Sequence, residues 1–246
     1  MTKHYEMYGL EVDDRWEGYC PSHAGPATFE VTSVWLRDGL LCTGCGSIPR
    51  VRAISHVIDV VMPDWRDASI WELAPFGAAS DRLRAGASDY TGSHFWPGVP
   101  LGSYQGDVRC EDVERATFDD AAFDLVVSQD VFEHVLDVQA GLSQIARVLK
   151  PGGVHVFTVP RYRDLTASTP RAVRGHDGEV VLLNEAEYHG NPVDPEGSLV
   201  TFDWGLDLEH VMHSFGGFDT IAYRPESFYL GTLGEFLEVF VSRKRA

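Results

Sequence analysis

The sequence predicts an α/β fold built on a doubly wound, mostly parallel sheet, with a small cysteine-containing module in front of it. Three observations support this prediction. The middle of the chain alternates strand-like and helix-like segments, the connections between them are short, and residues 1–55 hold three of the four cysteines. Strand, helix and strand joined by short connections favour parallel strands with helices on both faces of the sheet.

The first strands of this sheet are short and apolar. Residues 70–73 predict a strand, followed by a loop at 74–80 and a helix from Asp81 onward. Residues 123–128 form a compact apolar run, which is typical of a strand buried on both faces. Cys110 falls in a third predicted strand, where we expect it to be a core residue.

The second half of the sheet begins with a helix whose N-cap we expect at Asp137. Residues 150–153, Lys-Pro-Gly-Gly, end this helix because proline cannot continue it and glycine accepts a positive φ. Residues 154–159 predict the next strand, and residues 205–246 predict one helix and two strands. The apolar positions of the helix recur at helical spacing and comprise Val138, Leu142, Ile145 and Leu149.

The amino-terminal module contains two close pairs of metal-ligand residues, Cys20-x-x-His23 and Cys42-x-x-Cys45. A two-residue gap lets both side chains of a pair reach one ion, and four N/S ligands complete tetrahedral Zn²⁺. Residues 27–36 are strand-like and 37–39 are a turn signal, so the layout is that of a zinc ribbon. We interpret the site as structural because it has no open position. The alternatives are three buried thiols beside an unrelated histidine, or a module that recognises an acceptor or carrier protein.

Composition limits the partners. The chain of 246 residues has 37 acidic and 20 basic residues, a net charge of −17, which repels phosphate backbones and disfavours nucleic acid. No apolar run has the length of a signal peptide or a membrane span. We therefore expect a cytoplasmic protein that binds no membrane, with cysteines that are ligands or core residues rather than disulfides. The oligomeric state stays open.

The loop after Glu72 is the expected cofactor site, because ligands of such sheets bind beyond the carboxyl ends of the strands. The helix that follows offers free backbone N–H groups. Gly77 is the one glycine of the loop, and the bulk of Phe76 hinders close approach of a pyrophosphate. A dinucleotide fingerprint is therefore absent, which disfavours a nicotinamide-dependent oxidoreductase. A sulfonium methyl donor has no pyrophosphate, so this loop does not need the glycines that allow a pyrophosphate to approach closely.

Three segments carry a family resemblance: RCEDV at 109–113, FDLVVSQDVFEHV at 123–135 and ARVLKPGG at 146–153. In order and spacing they resemble class I S-adenosylmethionine-dependent methyltransferases, which implies a Rossmann-like fold. The amino-terminal cysteines, IPRVRA at 48–53 and EYHGNP at 187–192 resemble a subgroup with its own amino-terminal metal-type module. The resemblance implies 1–55 as a zinc-ribbon-like module and 56–246 as the methyltransferase core.

The resemblance also implies the cofactor contacts. The loop from Glu72 through Ala74 to Gly77 would hold the methionine part of S-adenosylmethionine. Asp112 would accept from the adenine amino group, and the backbone N–H of Val113 would reach a ring nitrogen. His94 stands where the family has an acid that grips the ribose hydroxyls. The residues that would face the sulfonium and the acceptor are Ser128, Gln129 and Asp130.

Residues 161–204 follow the fifth strand and are expected to form a lid over the acceptor, since long loops of this kind are often functional. His189 and Asp130 are the candidate general bases, with His134 behind them, and a base is worth roughly 10²–10⁴ in rate. The alternative for His134 and His189 is a role in holding the loops. The predicted function is methyl transfer to a small-molecule acceptor, with a sugar or another biosynthetic intermediate as the suggested class. The alternative is a catalytically degenerate Rossmann-like binding protein.

Overall fold

The structure is a computed structural model that describes residues 8–190 and 195–245. Residues 1–7 of the predicted module and 191–194 of the predicted lid lie outside the described residues. The chain begins with a small antiparallel sheet and two helices: β1 Arg15–Cys20, β2 Gly25–Val31, α1 Leu36–Gly39, β3 Leu40–Cys42 and α2 Pro49–Val61. The sheet has the order β1-β2-β3, and Phe29, Val31 and Leu40 form its buried core.

The central section alternates strands and helices. Its elements are β4 Ser69–Leu73, α3 Gly77–Gly86, β5 Asp89–His94, β6 Tyr104–Gln105, β7 Val108–Cys110, β8 Phe123–Gln129, α4 Val138–Val148 and β9 Leu149–Thr158. Helix α3 starts at Gly77, four residues before the predicted start at Asp81, and Gly77 has a φ of 74° at the junction with the loop. Strand β9 starts at Leu149 and includes the Pro-Gly-Gly turn predicted to precede it.

Beyond β9 the chain forms three two-stranded ribbons and then returns to the central sheet. The short strands are β10 Thr169–Pro170, β11 Ala172–Arg174, β12 Val180–Leu182, β13 Tyr188–His189, β14 Ser198–Leu199 and β15 Phe202–Asp203. Helix α5 Leu208–Gly216 follows, with β16 Phe218–Tyr223 and β17 Val239–Lys244. The predicted helix and two strands at the carboxyl end are therefore present.

The central sheet has the strand order β16-β17-β9-β8-β4-β5-β7-β6. Strands β7, β5, β4, β8 and β9 are parallel, while β17 pairs antiparallel with both β9 and β16. Neighbours in sequence lie on opposite sides of β4, so the order reverses between β4 and β8, the place where open α/β sheets bind ligands. The prediction of a doubly wound, mostly parallel sheet is confirmed.

Apolar helix faces cover the sheet on both sides. Helices α4 and α5 pack with Trp71, Val126 and Phe157 on one face. Helices α2 and α3 cover Ile70, Leu125 and Val127 on the other. These strands alternate their side chains between two buried layers, which is why they are apolar throughout. No helix in the described ranges has the length and apolar character that crossing a membrane requires.

The amino-terminal sheet does not stand apart from the rest. Helix α2 runs across residue 55, the position of the domain boundary predicted from the sequence. Tyr19 N–H donates to the Tyr229 carbonyl at 2.8 Å, and Trp16 Nε1 donates to the Phe228 carbonyl at 2.7 Å. Three short strands bury little surface by themselves, so the module completes its core with the loop before β17. The division at residue 55 stays a prediction.

The N-cap of α4 gives a stability prediction. Asp137 accepts from Ala140 N–H at 2.9 Å. We expect Asp137→Ala to lower the free energy of unfolding by about 0.5–2 kcal/mol, because that amide loses its partner. Urea unfolding measures the loss, with Gln139→Ala at an exposed position of the same helix as the control. Equal stability of both variants would contradict the role of the cap.

Candidate active site

Two strands on either side of the sheet reversal end in the same unusual backbone conformation. Ala74 follows β4 with a φ of 48°, and Asp130 follows β8 with a φ of 50°. Residues other than glycine rarely adopt positive φ, and such strain concentrates at functional sites. Both chain segments therefore turn sharply at the edge of the sheet where a ligand is expected.

Glu72 lies beneath this edge rather than in the open cleft. Its buried carboxylate accepts from Ser80 Oγ at 2.6 Å and from Tyr90 OH at 2.7 Å, with Gln129 Nε2 at 3.5 Å. Burial raises the pKa of Glu72, and these donors oppose that shift. The cluster ties α3, β5 and β8 to β4, and it brings two predicted cofactor residues, Glu72 and Gln129, together. Glu72 thus supports the loop that follows it.

The loop itself leaves room for a ligand. Ala74 N–H donates to the Ser93 carbonyl at 2.7 Å, which ties the loop to β5. A methyl group built on Gly77 would meet no atom of the described residues within 4 Å. The backbone at the start of α3 is therefore open on this side, as binding of a ligand carboxylate to its free N–H groups requires.

His94 ends β5 at the same edge. Its Nε2 is buried and has no hydrogen-bond partner in residues 8–190 or 195–245. Burial lowers the pKa of His94, so the ring is neutral at physiological pH. A neutral imidazole can donate one hydrogen bond and accept another. An unpartnered ring nitrogen at this place is available for a ligand hydroxyl.

Asp112 follows β7 and caps the short helical turn 113–115. Its Oδ1 accepts from Glu114 N–H at 3.0 Å, and its Oδ2 accepts from Arg115 Nε at 3.0 Å. The turn begins at Val113, whose side chain packs against the core. Asp112 therefore reaches the ligand edge with a fixed orientation, and each oxygen keeps a further lone pair for an amino group.

Ser128 does not present its hydroxyl to the cleft. The side chain is buried in the sheet, and its Oγ lies 2.9 Å from Nε2 of His155 on β9. Burial lowers the pKa of His155 to about 3, so this pair is neutral. The sequence interpretation that the Ser128 side chain faces the sulfonium is not supported, because side chains alternate along a strand and this one points into the core.

Asp130 is held by two arginines of the amino-terminal module. Its Oδ2 lies 2.6 Å from Arg37 NH2 and 3.0 Å from Arg50 Nε, and its Oδ1 accepts from Thr158 Oγ1 at 2.8 Å. Burial raises the pKa of Asp130, but the charges of Arg37 and Arg50 outweigh it, and the net pKa is lowered. An occupied carboxylate with a low pKa is a poor general base, so the geometry argues against that role.

The remaining base candidates meet where the lid contacts the turn after β8. The rings of His134 and His189 are perpendicular, with centroids 5.5 Å apart. His134 Nδ1 lies 2.9 Å from the Leu199 carbonyl, and Thr201 N–H donates to the Glu133 carbonyl at 2.7 Å. The segment 161–204 therefore brings His189 to this turn, and its role as a lid stays a prediction. Tyr188, in contrast, is 59% exposed.

Glu133 belongs to the same group of side chains. It is buried, and neither of its carboxylate oxygens has a hydrogen-bond partner in the described part of the chain. Burial raises the pKa of Glu133 well above its usual range, and the charge of Asp130 adds to the shift. Sequence reasoning gave Glu133 no catalytic or ligand role. Its position next to His134 in the sequence was the one local sign that the two residues could act together as ligands.

The four predicted metal ligands come together at the end of the amino-terminal sheet. Cys20 Sγ and Cys45 Sγ are 3.7 Å apart, and Cys42 Sγ lies 3.7 Å from His23 Nδ1. All four ligand atoms lie within 4.8 Å of one another. Two thiolates bound at about 2.3 Å to one tetrahedral Zn²⁺ would be about 3.8 Å apart. The cluster therefore has dimensions that fit a single zinc ion.

A buried arginine balances the charge of this cluster. Arg52 donates to the carbonyls of Leu40, Ser47 and Gly231. Burial lowers the pKa of Arg52 to about 10, while the charges of Cys20, Cys42 and Cys45 oppose the shift. A buried cation needs a countercharge. Three thiolates around a divalent ion carry one net negative charge and would supply it.

Sequence reasoning missed Arg37, Arg50 and Arg52. Arg37 and Asp130 are 93 positions apart. Side chains so distant in the chain leave no local pattern. The basic character of 50–52 was visible in the sequence, but it did not indicate which carboxylate or carbonyl groups these arginines contact.

Comparison with known proteins finds a matching family and curated relatives that each cover part of the chain. Residues 77–157 match a protein family described as "Methyltransferase domain". A sarcosine/dimethylglycine N-methyltransferase of Halorhodospira halochloris is 45% identical over 58 residues, 24% of this chain and 20% of the relative. A dimethylglycine N-methyltransferase of Parasynechococcus marenigrum is 45% identical over 51 residues, 21% of this chain and 18% of the relative. The chain thus matches only about a fifth of the length of these curated relatives.

Solved structures establish the fold. An S-adenosylmethionine-dependent methyltransferase of Mesorhizobium loti has a TM-score of 0.51 and 15% identity, covering 78% of this chain and 97% of that one. The Burkholderia thailandensis 1,6-didemethyltoxoflavin-N1-methyltransferase has a TM-score of 0.52 and 15% identity, covering 80% of this chain and 79% of that one. Together, these likenesses show a Rossmann-like α/β fold, and residues 77–157 of it match a methyltransferase domain.

Proposed function

We propose that this protein transfers a methyl group from S-adenosylmethionine to a small-molecule acceptor. The observation that carries the proposal is the ligand edge at the sheet reversal. There the loop from Ala74 to Gly77, the ring of His94 and the turn at Asp112 follow the ends of neighbouring parallel strands, and His94 Nε2 has no hydrogen-bond partner in the described part of the chain. The methionine, ribose and adenine parts of the cofactor follow that same order across the edge.

Each group has a distinct task. The loop after Glu72 and the start of α3 bind the methionine carboxylate through backbone N–H groups. His94 hydrogen-bonds a ribose hydroxyl, while Asp112 and the Val113 N–H hold the adenine. Gln129, next to Glu72, lies on the side of the sulfonium. The side chain of Ser128 has no contact with the cofactor in this assignment, although its backbone remains at the end of β8.

The reaction is an in-line displacement at carbon. The acceptor–carbon bond forms as the sulfur–carbon bond breaks, and the electron pair remains on sulfur as a thioether. Positioning supplies most of the rate acceleration that such a reaction needs. The lid, residues 161–204, forms the acceptor side, and His134 and His189 are the candidate catalytic residues there.

The names of the matched proteins support a small-molecule acceptor. The curated relatives are sarcosine or dimethylglycine N-methyltransferases, and one structural neighbour carries bound 1,6-didemethyltoxoflavin and S-adenosylhomocysteine. The polar and aromatic character of the lid suits a polar acceptor, such as a sugar or another biosynthetic intermediate.

Zinc is the second ligand that we propose. Cys20, His23, Cys42 and Cys45 would bind one ion with four protein ligands, which leaves no position for chemistry. The ion would stabilise the module, whose helices α1 and α2 position Arg37 and Arg50 against Asp130. In this way a structural metal would support the edge of the cleft without touching the reacting atoms.

Calorimetry tests the cofactor assignment. We expect S-adenosylmethionine and S-adenosylhomocysteine to bind the wild type, and Asp112→Ala to weaken binding by about 1–3 kcal/mol, because the adenine amino group loses its acceptor. Asp119→Ala, at an exposed position nearby, is the control and should bind normally. Absence of binding to the wild type at millimolar cofactor would refute the proposed methyl transfer.

A further inference from the structure

Glu133, His134 and His189 bring three potential metal ligands to one point, and we call them the Glu-His-His cluster. One ligand atom from each residue lies within 4.8 Å of the others. Glu133 and His134 belong to the turn after β8, and His189 comes from β13 of the lid. Two imidazoles and one carboxylate form a donor set that suits divalent first-row transition metals.

The carboxylate of Glu133 is buried, and it lacks a hydrogen-bond partner among the described residues. The residue is 1% exposed, and neither oxygen has a hydrogen-bond donor among the residues that the structure describes. Its Oε1 lies 3.9 Å from His134 Nε2, which is beyond hydrogen-bond distance. A buried polar group without a partner is destabilising, and a charged group more so. A cation between Glu133 and the two imidazoles would satisfy it.

The protonation of His134 fits metal binding. A carbonyl can only accept, so the 2.9 Å contact with Leu199 places the proton on Nδ1. Nε2 then carries its lone pair on the side of Glu133. A ligating histidine commonly donates its other ring N–H to a carbonyl or carboxylate, which fixes the tautomer and the ring orientation. The lid supplies this outer contact through β14.

No arginine or lysine of the described residues forms an ion pair with Glu133. Arg37 and Arg50 are bonded to Asp130. Glu187 Oε1 lies 3.4 Å from His189 Nε2 at the rim of the cluster, and Glu187 Oε2 is paired with Arg171 NH2 at 3.2 Å. Within the described ranges, therefore, the site combines two imidazole donors with a buried carboxylate that no arginine or lysine pairs with, a donor set that a divalent transition-metal ion would complete.

We propose that the Glu-His-His cluster binds one divalent first-row transition-metal ion with open coordination positions. The ion's task rests on the proposed methyl transfer: it would bind a hydroxyl group of the acceptor and make its proton easier to lose. The hydroxyl proton leaves to bulk water, the oxygen–carbon bond forms, and the sulfur–carbon bond breaks with its electron pair on sulfur. The acceptor is then a hydroxyl-bearing small molecule, and His189 is a metal ligand rather than a base.

Titration with Mn²⁺ tests the site directly, with the electron paramagnetic resonance signal of free Mn²⁺ as the readout. Mn²⁺ prefers oxygen and nitrogen donors, so it discriminates against the cluster of three cysteines. We expect one Mn²⁺ per wild-type chain. Glu133→Gln and His189→Asn should weaken binding by more than about 100-fold, since loss of an outer contact alone weakens metal sites by about 10–100-fold. His176→Asn, at an exposed histidine of the same lid, should bind like the wild type.

The outcomes separate this inference from the proposed function. Wild type without saturable Mn²⁺ binding would overturn the inference, and so would wild-type affinity in both Glu133→Gln and His189→Asn. Thermal melting checks that the variants fold, and His189→Asn, at a half-buried position, decides the test if Glu133→Gln does not fold. Calorimetry with S-adenosylmethionine on the same samples without Mn²⁺ reports the cofactor site separately, so a failure there refutes methyl transfer and leaves the cation site standing.

Discussion

Cys42→Ala is expected to abolish zinc binding and to unfold the amino-terminal module, while the central sheet persists. Structural zinc contributes about 10–16 kcal/mol of apparent binding free energy at neutral pH, much more than three short strands can supply. Cys42 is buried at the end of β3, and its sulfur contacts His23. Loss of this ligand leaves three donors and a buried Arg52 with less countercharge. We expect the ion, and with it the packing of the module, to be lost.

Elemental analysis of protein purified without chelator measures the first part, with one zinc per wild-type chain as the expected value. Hydrogen exchange measures the second, with protection lost in β1 to β3 and kept in β4, β8 and β9. Cys110→Ala is the matched control, because Cys110 is a buried cysteine of the central sheet that lies outside the cluster. A wild type that folds normally with a zinc content near zero would contradict the zinc proposal.

Asp130→Asn is expected to lower the free energy of unfolding by about 3 kcal/mol, because Arg37 and Arg50 lose their shared countercharge. Removing one partner of a buried ion pair costs about 3–5 kcal/mol. We take the lower end because 18% of the Asp130 side chain is exposed. Asp38→Asn is the control, since Asp38 also contacts Arg50 but is half exposed. Surface pairs of that kind contribute about 0–1 kcal/mol.

The pH dependence gives this prediction a second readout. The pKa of Asp130 is lowered in the folded state, so its contribution is fully present above the unfolded value of about 3.9. It is lost as the pH falls through the folded value. The stability difference between wild type and Asp130→Asn should therefore be constant near neutral pH and shrink in acid. A variant of wild-type stability that has lost only activity would restore Asp130 as a base.

Local patterns in the sequence determined the architecture. The apolar run of β8, the cap at Asp137 and the spacing of α4 depend on residues close together in the chain, so their physics is visible without a structure. The order of these elements was enough to predict the parallel sheet and the edge where a ligand binds. The two Cys/His pairs also predicted a cluster, because their spacing constrains each pair locally.

Only the tertiary structure decided the state of the individual site residues. Asp130 was a base candidate in the sequence. In the structure it forms an ion pair with Arg37, 93 positions away, which keeps its carboxylate ionised. Ser128 lies at the predicted edge, yet its hydroxyl contacts His155 inside the sheet. Glu133 became a candidate ligand because its buried oxygens have no hydrogen-bond partner among the residues that the structure describes. Desolvation and charge–charge interactions depend on neighbours in space, and residues far apart in the chain provide those neighbours.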